Sequence, residues 1–194
     1  MTEKAYHHGN LQIELIEQGL SMIYEEGIAN FSLRKLAKRI GVSPTACYNH
    51  YENVETLISA MNEYVTKKFS QALLSAVAES NEETCTILMG VEYVDFFAQH
   101  PHYFSFIFDG KNCSVDMNHT DICSEFEPFQ IFREYSIKMM ESLQVPEEHQ
   151  LDNLIAMWST VHGLAAMANM KEFHYDGDWG ALTEQVLRTR INIF

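Results

Sequence analysis

Between Asn53 and Val77, Val54, Leu57, Ile58, Met61, Tyr64, Val65, Phe69, Leu73, Ala76 and Val77 recur at helical intervals. That spacing lays them along one face of a single helix. At 1.5 Å per residue, a helix of about 25 residues runs about 38 Å. A rod that long outreaches any short helices before it and links them mechanically to the rest of the chain. Asn53 supplies the N-cap, and the pattern stops around Ser80-Asn81-Glu82. No segment alternates with the period of two that a half-buried strand needs. The expected fold class is therefore all-α.

Three shorter helices precede the rod. Leu11, Leu15, Ile16, Leu20 and Ile23 share one face of the first, and Gly27 ends it. Ser32 can cap a second, whose apolar side is Leu33, Leu36, Ala37 and Ile40. Gly41 permits a turn at positive φ. Ser43-Pro44 then places a cap before a proline at the first helical position of a third, short helix. After the rod, helices are expected at about 82–99, 101–109, 122–144, 147–171 and 178–193, with Pro101 and Pro146 at starts and a polar loop from Gly110 to Thr120. The boundary falls at the rod's start: residues 1–52 form a small N-terminal three-helix unit, and residues 53–194 a larger helical one.

Two short helices joined by a turn, the second slim and polar, suggest a helix-turn-helix. The formal charge of −14 argues against nucleic acid until its distribution is read. Residues 1–68 carry seven Lys/Arg against eight Asp/Glu, whereas the remainder carries six against nineteen. Arg34, Lys35, Lys38 and Arg39 cluster with no acid between Phe31 and Tyr51. DNA binding needs a local positive footprint rather than a positive total. A solvated helix face is the plainer reading of such a cluster.

The string Phe31-Ser32-Leu33-Arg34-Lys35-Leu36-Ala37-Lys38-Arg39-Ile40-Gly41-Val42-Ser43, followed by Tyr48-Asn49-His50-Tyr51 and by Glu55 and Leu57, resembles the TetR family of regulators. Tyr6-His7-His8-Gly9-Asn10-Leu11 resembles the arm before the first helix in one branch of that family, which marks the histidine pair as native. The resemblance implies roles. Arg34 would reach a base edge or a nearby phosphate, and Pro44, Thr45 and Tyr48 would face the groove beside Ser43 and Asn49. Tyr48 and His50 would touch phosphates, which set register while bases set sequence. With Ser32 and Lys35 these are the candidate DNA-binding residues. Packing is the alternative for Tyr48 and the preferred reading for Tyr51. The family usually carries a lysine against phosphate at the start of the fourth helix; here Val54 stands there, which should weaken binding.

Eight phenylalanines crowd residues 96–132, joined by Tyr93, Tyr103, Tyr135, Met139 and Met140. Such residues usually form ordinary core. Their density also suits a pocket for an apolar or aromatic effector with few polar anchors. The candidate ligand-binding residues are Glu92, Tyr93, Phe96, Phe104, Phe108, Phe129, Phe132, Trp158 and His162, with Asp95 a further anchor. So acidic a region would suit a cationic apolar molecule. His162 reads either as a core histidine satisfied by neighbours or as a ligand contact. Trp158-Ser159-Thr160-Val161-His162-Gly163 resembles the Trp…His-Gly signature of one C-terminal subclass of the family, in which the last two long helices pair with a second subunit. Gly163, Ala165, Ala166 and Ala168 would allow close approach, and Leu182, Val186, Leu187 and Ile191 would supply an apolar stripe. Gly163, Ala166, Leu182 and Val186 are the candidate dimer contacts.

No nucleophile elbow, phosphate loop, zinc motif or dinucleotide fingerprint is present, so no catalytic residue, cofactor or metal is expected. His100-Pro101-His102 lacks the carboxylate or cysteine companions of a metal site. Cys47, Cys85, Cys113 and Cys123 show no paired spacing and suit a reducing cytoplasm; Cys85, Cys113 and Cys123 have few cations nearby to activate a thiolate. No apolar run approaches a membrane span, and no secretory signal is expected at the N-terminus. The expected protein is cytoplasmic: a homodimeric, effector-responsive repressor on a palindromic double-stranded DNA operator. The alternative is a ligand-binding or protein-interaction dimer that has lost specific DNA binding.

Overall fold

The computed structural model describes residues 11–81, 84–110, 112–115 and 126–190. Among them every regular element is helical. Tyr6 to Asn10, Lys111, Cys123 and Ile191 lie outside the described residues.

Helix α1 (Leu11–Glu26) ends where Gly27 takes φ 79°. A single 3-10 turn, Ile28–Asn30, follows it. Ser32 caps α2 (Leu33–Ile40) by accepting from the Lys35 amide at 3.3 Å. Gly41, at φ 77°, closes that helix in the left-handed region where a Cβ would be strained. Helix α3 (Pro44–Tyr48) is one capped turn and a little more. These three helices bury Leu15, Leu20, Leu36, Ala37 and Cys47 among themselves.

Helix α4 (Val54–Val77) has the expected length, and its cap is a reciprocal box. The Thr56 amide donates to Asn53 Oδ1 at 2.8 Å, and the Asn53 amide donates to Thr56 Oγ1 at 3.2 Å. Its stripe runs through one continuous core that joins the two units. Leu57 and Met61 are buried toward the N-terminal unit, where Met61 meets Gly19 of α1. Phe69, Leu73 and Val77 are buried in the larger unit.

The larger unit is built around α5 (Cys85–Gln99), which packs against α4, α7 (Glu127–Ser142), α8 (Glu147–Asn169) and α9 (Trp179–Arg190). A helix enclosed on so many sides must be apolar around most of its circumference. Thus Cys85, Met89, Tyr93, Val94, Phe96 and Phe97 are all buried. Gly90 lets α9 approach closely, since a Cβ there would stand 2.5 Å from Leu187 Cδ1.

Three expectations need correcting. The segment at 101–109 is not one regular helix: α6 (Pro101–Phe104) passes into a π turn, Ser105–Asp109. That local widening re-aims side chains, and Asn112 then secures it by donating to the Phe106 carbonyl at 2.7 Å. Leu187 and Ala165 do not lie on a free stripe. Both are buried within the chain, because α9 and α8 turn those positions toward α5. Helix α8 also stops at Asn169, whose amide group donates to the Ala165 carbonyl at 2.7 Å. No helix among the described residues is long and apolar enough to cross a membrane.

Candidate DNA-binding surface and effector core

Helix α3 is anchored from beneath and open above. Cys47 is fully buried and Tyr51 nearly so, which fixes the packing role expected for Tyr51. Ser43 Oγ accepts from the Ala46 amide at 3.2 Å, and Pro44 stands at the first turn. With its inward face spent on Cys47, α3 leaves Ser43, Pro44, Thr45, Tyr48, Asn49 and His50 exposed. Tyr48 retains 47% of its surface, far more than a packing role needs.

Arg34, Lys35, Lys38 and Arg39 are exposed on α2, and Ser32, half-buried, stands at its start. The four cations are not equivalent. Arg39 clasps Glu25 of α1 through two hydrogen bonds of 2.7 Å. The Arg39 guanidinium holds the Glu25 carboxyl below its usual range. Lys35 Nζ donates to the Asn30 carbonyl at 2.8 Å, leaving two of its donors for other partners. Arg34 and Lys38 have no ion-pair partner among the described residues. The positive footprint is therefore narrower than the sequence cluster suggests. Val54 is half-buried against the core and adds no charge to it.

In the larger unit, Tyr93, Phe104, Phe108, Trp158 and His162 come together from α5, the α6 segment and α8. The Tyr93 hydroxyl lies 2.9 Å from His162 Nδ1. The Phe104 ring stacks on the imidazole at 5.6 Å, and Phe108 meets it edge-on at 4.7 Å. Burial lowers the His162 pKa, only partly offset by Asp109. A neutral ring with its proton on Nε2 can accept the tyrosine hydrogen. Trp158 presses edge-on against Tyr93 at 5.3 Å and Phe129 at 4.9 Å, with Phe132 at 5.3 Å. Phe69 of α4 joins the cluster, stacked on Phe96 at 5.0 Å. The sequence stripe placed Phe69 in the core but gave no sign that it belongs to this cluster.

Glu92 lies on α5 one helical turn before Phe96 and is half-buried. It sits beside Asp95, where burial and then that like charge push its carboxyl up. Asp95 lies under the start of α9, within 2.6 Å of where a Gly180 Cβ would be. Burial also raises the Cys47 and Cys113 thiols, which opposes a reactive thiolate at either. A groove of about 370 Å³ opens between α1, α6 and the end of α8, bordered by Tyr24, Pro101, Asn169 and Lys171, with Phe104 on its wall. Phe104 thus lies between this groove and the His162–Tyr93 pair.

The candidate dimer residues Gly163, Ala166, Leu182 and Val186 are half-buried. A Cβ on Gly163 would meet nothing within 4 Å. Leu151 and Ile155 of α8 are 42% exposed each, so that helix carries an uncovered apolar strip within one chain.

Residues 15–61 match the family described as bacterial regulatory proteins, tetR family. Residues 87–189 match the tetracyclin repressor-like C-terminal domain. YobS of Bacillus subtilis (strain 168), an uncharacterized HTH-type transcriptional regulator, is 22% identical over 171 residues, covering 88% of this chain and 85% of its own. The crystal structure of FadR from Bacillus subtilis in complex with stearoyl-CoA superposes with a TM-score of 0.71 at 14% identity, covering 94% of this chain and 98% of that one. PfmR, a TetR family regulator from Thermus thermophilus, gives 0.68 at 16% identity, over 92% and 99% of the two chains.

Proposed function

Because the chain belongs to the TetR family of bacterial regulatory proteins, we propose that it binds a palindromic operator as a homodimer and releases it when an apolar effector enters the larger unit. Residues 1–52 are the DNA-reading part of this scheme and residues 53–194 the sensing and pairing part. The observation that carries the reading is the capped, outward-facing α3, with Thr45, Tyr48, Asn49 and His50 exposed above a buried Cys47. A helix so presented fits a major groove about 12 Å wide. Pro44, Thr45 and Tyr48 face the groove beside Ser43 and Asn49, Arg34 reaches a base or phosphate from α2, and Tyr48 and His50 set register on the backbone.

Two such helices must stand about 34 Å apart to meet successive grooves. The uncovered strip of α8, with Gly163, Ala166, Leu182 and Val186, provides the surface for an isologous pair. The effector site is the ring cluster about Tyr93, Phe104, Trp158 and His162, with the tyrosine–histidine pair as its polar anchor. FadR, of the same fold, was crystallised with stearoyl-CoA, which supports a ligand with a long apolar part. The acidic balance of residues 69–194 disfavours a multiply anionic head group on this chain.

A mobility-shift titration with duplexes flanking the protein's own gene, run at low ionic strength, tests the reading. A saturable shift that resists excess random duplex is expected. Equal affinity for both duplexes would favour a dimer that no longer reads DNA.

A further inference from the structure

The polar cluster around Glu17 lies off the DNA surface and borders the ring core, where Phe96 meets Tyr103 at 5.9 Å. Glu17 projects from α1 into the junction with α4 and α6. Tyr103 of α6 donates its hydroxyl to the carboxylate, 2.7 Å from Oε1 and 2.9 Å from Oε2. Tyr64 of α4 donates to Oε1 at 2.5 Å, and Lys68 Nζ to the same atom at 3.1 Å. Lys68 also donates to the Tyr103 hydroxyl at 3.2 Å and lies over the faces of both tyrosine rings. His102 Nε2 stands 3.9 Å from Glu17 Oε2, and the His100 ring stacks on Tyr103 at 4.8 Å.

One side chain of the N-terminal unit is thus held by two helices of the other, across 47 to 86 residues of sequence. Charge-assisted bonds of this kind are about twice as strong as neutral ones and strongly directional. Burial pushes the Glu17 carboxyl up, but the donors more than reverse that, so it stays an anion and keeps accepting. On α6, Tyr103 is followed by Phe104, which stacks on His162. The ring core and this polar knot of Glu17, Tyr64, Lys68 and Tyr103 therefore meet at adjacent positions of a four-residue helix.

We infer that Glu17 is a coupling residue: through Tyr103 and the Lys68–Tyr64 pair it forces α1 to follow any displacement of α6. A packed apolar seam would let one helix slide over the other, whereas a carboxylate gripped at both oxygens does not. The geometry stands independently of DNA or effector; the use of the link in regulation rests on the proposed function. Glu17 touches neither base nor ligand and acts only by positioning α1.

Hydrogen exchange of the full-length protein at neutral pH tests this without DNA or effector. Phe104→Leu disturbs α6 from the ring side. In the otherwise native chain it should speed exchange of α1 amides by about threefold or more. In a Glu17→Gln background the same change should leave α1 exchange at the Glu17→Gln level, and a Tyr103→Phe background should repeat this if Glu17→Gln folds poorly. Glu25→Gln, which cuts only the Arg39 pair, should leave the Phe104→Leu effect on α1 intact. Additive effects of Phe104→Leu and either knot variant would overturn the inference. So would uniform acceleration across α5 and α8, which would make the knot a general staple. Because no duplex is present, failure here leaves the DNA-binding reading to its own titration.

Discussion

At the scale of single residues, charge and protonation decide most outcomes. Val54 occupies a half-buried place at the first turn of α4, beside the exposed Glu55. Val54→Lys should tighten binding of any duplex and steepen the dependence of log K on log salt by about one unit. A salt titration of both proteins checks this; parallel lines would refute a phosphate contact there. Three histidines are held below their ordinary pKa by burial: His100, His102 and His162. Lys68 adds to the lowering at His100, while Glu17 opposes it at His100 and His102, and Asp109 at His162. Between the depressed folded values and the usual 6.5, the unfolded chain binds more protons, so stability falls as pH falls through that window. The Glu17 carboxyl, also depressed, contributes stability that is present above 4.5 and lost at still lower pH. Thermal melts should therefore decline from about pH 7 toward about pH 5, and His162→Gln should reduce that decline. Burial raises the Glu92 and Asp95 carboxyls, which opposes this trend as pH falls, so the comparison decides: identical pH profiles for the native protein and His162→Gln would contradict the burial of that ring.

At the scale of elements, two short devices hold α3 and α9 in place. Ser43 is the only cap side chain seen on α3, and Pro44 has no amide hydrogen to lose. Ser43→Ala should cost about 0.5–2 kcal/mol of unfolding free energy. Urea denaturation would measure it, and operator affinity should fall with it if α3 frays. The α5–α9 seam is set by Gly90. An added methyl would lie 2.5 Å from Leu187 Cδ1 and 3.1 Å from Val161 Cγ1. Gly90→Ala should destabilise by about 1–3 kcal/mol through overpacking. Pairing it with Leu187→Ala should restore part of the loss beyond the sum of the two single changes, because each relieves the other's misfit. Strict additivity would mean that the two helices do not meet as described.

At the scale of the whole molecule, one long helix joins the N-terminal three-helix unit to the larger one. Helix α4 runs through one continuous core, with Leu57 and Met61 near its N-terminal end and Phe69, Leu73 and Val77 near its C-terminal end, so the two units cannot shift relative to each other without disturbing it. In the proposed function a second subunit must hold its own α3 at a fixed distance, and α8 with α9 is the surface assigned to that pairing. Val186→Asp should place a charge on a half-buried apolar position of that surface. Sedimentation is expected to show a shift toward monomer, and operator affinity to drop by more than about tenfold, with helicity retained. A variant that stays dimeric would move the pairing surface elsewhere.

The all-helical class, the caps at Ser32, Ser43 and Asn53, the left-handed turn at Gly41 and the span of α4 were legible in the chain itself. Each depends on residues within a few positions, where side-chain chemistry and helical period act without help from distant parts. The same locality made α3 readable as a slim, outward-facing helix. Which charges and rings meet across long separations was decided only by the tertiary structure. Arg39 looked like part of a DNA footprint until α1 brought Glu25 against it, and Leu187 and Ala165 looked free until α5 covered them. The like charge that Asp95 sets beside Glu92 also had to wait for the fold. Glu17 carried no signal at all, because its partners are 47 to 86 residues away. Those pairings depend on how helices cross, and crossing is settled only when all the apolar faces are buried together.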